Sequence, residues 1–120
     1  IRTSDRVAIV DEQGLRYTYK NLEQLINGVA NGLISRGLVA GDRIALLSNN
    51  SIEFVASYFG ILKMGGVVVL INTRLPLGQI EYILEDSRAK LVLTEHELKT
   101  NVATIEFDNF NLFEYISLVS

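Results

Sequence analysis

The residues best placed to do chemistry are Asn72, Thr73 and Arg74, a polar triplet that follows directly on the apolar run Val67 to Ile71. An arginine stays charged at any working pH and presents a planar fork of donors, which suits a phosphate or a carboxylate. The same side chain can instead cap a carbonyl or pair with a neighbouring acid at the surface, and the residues alone leave both uses open. A second polar stretch, Ser48-Asn49-Asn50, ends the apolar run Ile44 to Leu47 in the same way. His96 lies in the charged segment "TEHELK", where an exposed structural histidine is expected and a general base is not. Glu81, Glu85 and Asp86 are spaced as the solvated face of a helix. No Ser-His-Asp set can be assembled and no metal-ligand cluster is expected. The phosphate-cradling pattern Gly-x-x-x-x-Gly-Lys-Ser/Thr is absent, and Leu47 is followed by "SNNSIEF", with no glycine for a dinucleotide fingerprint.

The elements that must position the two polar triplets follow from periodicity. Val7 to Val10 and Leu15 to Tyr19 read as a hairpin around Gly14, which supplies a positive φ. From Leu22, apolar residues at Leu25, Ile26, Val29, Ala30, Leu33 and Ile34 keep helical spacing, with Thr18 as the expected N-cap and Gly37 as the left-handed residue after the end. Gly28 and Gly32 share one side of this helix, and close helix-against-sheet packing is expected there. A turn at Gly41-Asp42 leads into strand Ile44 to Leu47. Ser51 to Met64 is apolar around most of its circumference and predicts a largely buried helix ended by Gly65-Gly66. Val67 to Ile71 predicts a strand buried on both faces. Pro76 suits the first turn of a helix running to about Asp86, with Ile80, Ile83 and Leu84 inward. Leu91 to Leu93 and Val102 to Phe107 predict further strands, and Phe110 to Leu118 a short helix.

This alternation is that of an α/β fold: a partial doubly wound, mostly parallel sheet with flanking helices and an N-terminal β-hairpin. In such sheets ligands sit beyond the carboxyl ends of the strands, which places Ser48 to Asn50 and Asn72 to Arg74 on the functional rim.

Length and charge narrow the function classes. The chain has 120 residues, enough for one core, and a formal charge of −3 with scattered cations, which provides no field for nucleic acid. No apolar run approaches the ~20 residues of a transmembrane segment. The absence of cysteine fits a cytoplasmic setting. The opening "IRTSDRVAIV" and the closing "LFEYISLVS" read as cut points in a longer chain.

The stretch from about Val7 to Glu95 resembles the adenylate-forming superfamily: acyl-CoA synthetases, luciferases and peptide-synthetase adenylation domains. The resemblance is carried by Thr18-Tyr19 before the first helix, the "GLxxGDR" turn at Leu38 to Asp42, Asn50 with Glu53-Phe54, "ILKMGG", and "NTRL" followed by "YILEDS". Leu70, where proline is frequent in the family, and Gly66, where alanine is common, depart from the pattern and blur the subgroup. The resemblance implies that residues 1–120 are the N-terminal part of the large N-terminal domain of an ATP-dependent acid:CoA ligase. Such an enzyme converts a small-molecule carboxylic acid to an acyl-adenylate and then a CoA thioester, using ATP, Mg²⁺ and coenzyme A. The family's phosphate loop and catalytic lysine have no match in this sequence, so no catalytic residue, no activity and no bound cofactor are expected of these residues alone. Arg74 is the one binding candidate the resemblance transfers, as a contact to a phosphate of coenzyme A. An acyl-AMP ligase, an adenylation domain that loads a carrier protein, and a stand-alone non-catalytic α/β module remain alternatives. Buried-type strands with few covering helices also predict self-association, through the uncovered sheet or by exchange of Phe110 to Ser120.

Overall fold

The computed structural model describes residues 6–10, 14–49, 52–94 and 98–106. The antiparallel hairpin forms from β1 (Val7–Val10) and β2 (Arg16–Thr18), with Gly14 at φ 82°. Helix α1 (Tyr19–Ser35) starts where the sequence predicts an N-cap. The Thr18 hydroxyl accepts from the Asn21 amide, and the Asn21 side chain accepts in return from the Thr18 amide, which closes a capping box. Gly37 at φ 89° lets the chain leave α1.

Four strands form one parallel sheet: β3 (Arg43–Leu47), β4 (Val67–Leu70), β5 (Leu91–Thr94) and β6 (Ala103–Glu106), in the spatial order β4-β3-β5-β6. Helices α2 (Ile52–Lys63) and α3 (Leu77–Asp86) connect β3 to β4 and β4 to β5. Side chains alternate across the sheet and build two cores. Ile44 and Leu46 of β3 and Leu91 and Leu93 of β5 face α1 and α2, whereas Ala45, Leu47 and Val92 face Ile80 and Leu84 of α3. The sheet is therefore doubly wound, with α1 and α2 on one face and α3 on the other.

Two sequence expectations are corrected. Strand β4 is not buried on both faces: Val67 and Leu70 are about half exposed because β4 lies at the sheet edge, whereas Ile44 to Leu47 of β3 and all of β5 are buried. Helix α2 is not largely buried either. Ile52, Ala56, Gly60 and Ile61 are inside, but Phe59 and Leu62 stand on an outer face, where they line an apolar groove of about 550 Å³ with Leu22 and Ile26 of α1. A helix beside a second helix on one sheet face has only two contacting sides, so a run apolar all round leaves part of itself in water. The close helix approach falls at Gly60 of α2, against Val29 and Ile26 of α1. Pro76 precedes α3 as its N-cap in extended conformation. The helix expected from Phe110 and the end of the last strand at Phe107 lie outside the described residues.

The amino end of the sheet is laced shut. The Gly41 amide donates to Gly65, the Val67 amide to the Asp42 carbonyl, and the Lys90 amide to Arg43, which joins the starts of three strands. The Asp42 carboxylate, nearly buried, accepts from the Val39 amide and pairs with the exposed Lys90 ammonium at 2.8 Å. The hydrogen bond from Lys90, then that from Val39, hold the Asp42 carboxyl below its ordinary value of 3.8, against the opposing effect of burial. Arg43 completes the lacing by donating to the Ser87 carbonyl.

Candidate functional site at the carboxyl rim of the sheet

The opposite end of the sheet is open, for a topological reason. The segment leaving β3 turns to the α1/α2 face, where Ile52 starts α2 in that core. The segments leaving β4 and β5 turn to the other face, where Ile71, Leu75, Leu98 and Val102 join the α3 core. Adjacent connections that part in this way leave a crevice beyond the strand ends, the usual ligand position in doubly wound sheets.

Both predicted polar triplets reach this rim. After β3, Ser48 is buried and donates to the Asn49 carbonyl, while Asn49 is exposed; Asn50 lies outside the described residues. After β4, the Ile71 amide still donates to Leu46, and the chain then turns. The Asn72 side-chain oxygen accepts from the Arg74 amide at 2.9 Å, and the Asn72 carbonyl accepts from Leu75. Asn72 thus folds the triplet into a tight turn on its own backbone, the habit of an asparagine at such positions. The Thr73 hydroxyl donates to the Asn49 side-chain oxygen at 2.9 Å and so ties the two parting segments together. Arg74 is exposed beside that tie, and among the described residues no carboxylate pairs with it.

Sequence reasoning placed the triplets but missed their joining, which depends on β3 and β4 being neighbours in register. It also missed Thr94, fully buried at the carboxyl end of β5 opposite Leu47. The signal was a hydroxyl closing the three-residue apolar run Leu91 to Leu93. His96 lies outside the described residues. Glu85 and Asp86 are exposed, as expected of a solvated face, whereas Glu81 is half-buried, with one carboxylate oxygen enclosed and without a hydrogen-bond partner among the described residues. Among the described residues no group of acids and histidines could hold a metal, and no helix is long and apolar enough to cross a membrane.

A family model described as AMP-binding enzyme matches residues 2–112. One of the mycosubtilin synthase proteins of Bacillus subtilis is 40% identical over 101 residues, which cover 84% of this chain and 4% of that protein. The long-chain-fatty-acid–CoA ligase FadD13 of Mycobacterium tuberculosis is 43% identical over 79 residues, 66% of this chain and 16% of the ligase. Among solved structures, the AMPPNP-bound form of the nonribosomal peptide synthetase FmoA3 superposes with a TM-score of 0.80 at 31% identity, over 88% of this chain and 12% of that one. The chain thus spans less than one fifth of the length of each of these relatives.

Proposed function

Because this chain belongs to the AMP-binding enzyme family, we propose that residues 1–120 are the N-terminal part of the large N-terminal domain of an AMP-forming acid:CoA ligase. The observation that carries the reading is the family match itself, which runs through both rim triplets. In the parent, a carboxylate attacks the α-phosphate of ATP and expels pyrophosphate. The thiol of coenzyme A then attacks the acyl carbon and expels AMP. This chain supplies the sheet that carries the rim and, in Arg74, a fixed cation for a phosphate of coenzyme A. Its part is binding and support. The groups that polarise the α-phosphate, and the ligands of Mg²⁺, are assigned to the remainder of the parent, because the family's phosphate loop and catalytic lysine have no match in this sequence. The absence of cysteine fits work in a reducing cytoplasm.

The test is made on the full-length parent. Carboxylate-dependent ATP–pyrophosphate exchange followed by CoA consumption is expected, and the isolated 120-residue chain should show no exchange. Arg74→Ala should raise KM for coenzyme A and leave the exchange reaction unchanged, because a phosphate contact contributes uniform binding. Exchange by the isolated chain would refute the supporting role.

A second reading is an adenylation domain that loads a carrier protein, favoured by the likeness to mycosubtilin synthase and to FmoA3. Offering the adenylated parent coenzyme A and a phosphopantetheinylated carrier protein side by side separates the two, since only the true acceptor discharges the adenylate.

A further inference from the structure

We propose that Thr73 is a positioning residue for Arg74: its hydrogen bond to Asn49 sets where the guanidinium stands at the rim. The inference rests on the proposed CoA contact of Arg74 and adds what holds that contact in place. Three observations carry it. The segments after β3 and β4 leave the sheet on opposite faces, and among the described residues the backbone bond nearest their parting is that from Ile71 to Leu46. The Thr73 hydroxyl bridges that parting to the Asn49 side chain at 2.9 Å. Arg74 follows immediately, its amide held by the Asn72 side chain within the same turn, so Thr73 ties the turn that carries Arg74 to the segment leaving β3.

An arginine on a tethered turn binds a phosphate with less ordering on arrival than one on a free turn. Loss of the tether therefore lowers affinity for the anion without touching the atoms that react. The bond lies at an exposed rim, and a hydrogen bond of this kind corresponds to roughly a three- to tenfold effect.

The experiment uses the full-length parent with Thr73→Val, Thr73→Ser, Arg74→Ala and the Thr73→Val/Arg74→Ala double variant. Thr73→Val keeps the shape and removes the donor; Thr73→Ser keeps the donor. The expected result is a KM for coenzyme A raised about three- to tenfold by Thr73→Val, with kcat, pyrophosphate exchange and melting temperature unchanged, and recovery to within about twofold in Thr73→Ser. The double variant should be no worse than Arg74→Ala alone, because the tether acts through the arginine. If Arg74→Ala raises KM and Thr73→Val does not, the inference is wrong and the CoA contact stands. If Arg74→Ala leaves CoA kinetics unchanged, the contact itself is wrong and the inference falls with it. Additive effects in the double variant would mean that Thr73 acts apart from Arg74. A Thr73→Val defect that also depresses exchange and melting temperature, and that serine does not repair, would reduce the bond to general support and overturn the proposal.

Discussion

Replacing Gly60 by alanine should destabilise the chain, although the same change normally strengthens a helix. At an unobstructed helix position Gly→Ala stabilises by up to about 1 kcal/mol, because glycine has more backbone freedom to lose. At Gly60 a Cβ would stand 2.6 Å from Val29 Cγ1, 2.7 Å from Val29 Cβ and 3.2 Å from the Ile26 carbonyl oxygen. Carbon atoms rest at about 3.5–4.0 Å, so α1 and α2 would have to separate by roughly 1 Å. Val29 cannot give way: it is fully buried, and a β-branched residue in a helix has essentially one rotamer. Overpacking of this kind costs about 1–3 kcal/mol, which leaves a net loss of up to about 2 kcal/mol once the full propensity gain is set against it. Gly78 in the first turn of α3 is the control, since a Cβ there meets nothing within 4 Å. Urea unfolding followed by far-UV circular dichroism should show Gly60→Ala shifted to lower and Gly78→Ala to equal or higher midpoint, with unchanged slopes. If both variants gain stability, the two helices do not cross at Gly60 and the packing described for the α1/α2 face is wrong.

Four further outcomes follow from the structure. Ser57 is fully buried with a hydroxyl that has no hydrogen-bond partner among the described residues, so Ser57→Ala should raise stability by about 1 kcal/mol in the same unfolding assay; a loss would reveal a hidden partner. Arg88, two residues past the end of α3, has φ 59°, a left-handed conformation costly for a residue with a side chain, and Arg88→Gly should be neutral or stabilising by up to ~1 kcal/mol, where a clear loss would deny the strain. The depressed Asp42 carboxyl contributes stability that is fully present above about pH 5 and is lost as pH falls through 3.8 and then through the lower folded value. An acid titration of unfolding free energy should therefore flatten in Asp42→Asn, and an identical pH slope would remove Asp42 from the account. The half-exposed Val67 and Leu70 on edge strand β4 support self-association of the isolated chain at micromolar concentration, which Val67→Lys should weaken in sedimentation experiments; a monomeric unsubstituted chain would contradict it.

The parts of the fold legible in the sequence are those fixed by local chemistry. Thr18 and Asn21 cap α1 through neighbours three residues apart, and Gly14, Gly37 and Gly65 mark turns because their positive φ values exclude most side chains. Whether a strand is central or at an edge is not local. Ile44 to Leu47 and Val67 to Leu70 read alike, yet β3 has neighbours on both sides and β4 on one. The rim followed the same division. Polar triplets at strand ends were visible as composition breaks, while the Thr73–Asn49 bond depends on which two strands lie side by side. Glu81 was read as solvated because spacing along α3 reports a face and not what packs over it.

The central place of β3 also sets a timetable. It is the first strand of the four-stranded sheet to be made; α1, already made, meets one of its faces, while both of its edges and the face that α3 covers await segments translated later. At ~5–20 residues per second, β5 follows β3 from the ribosome after an interval of roughly several seconds. At the start of that interval an apolar strand with two open edges is held only by α1, the one helix already complete, and the β5 edge stays open to its end. Slow codons placed between α2 and β5 would lengthen the exposure and raise the aggregated fraction without altering a single residue, whereas the same codons after β6 would be harmless.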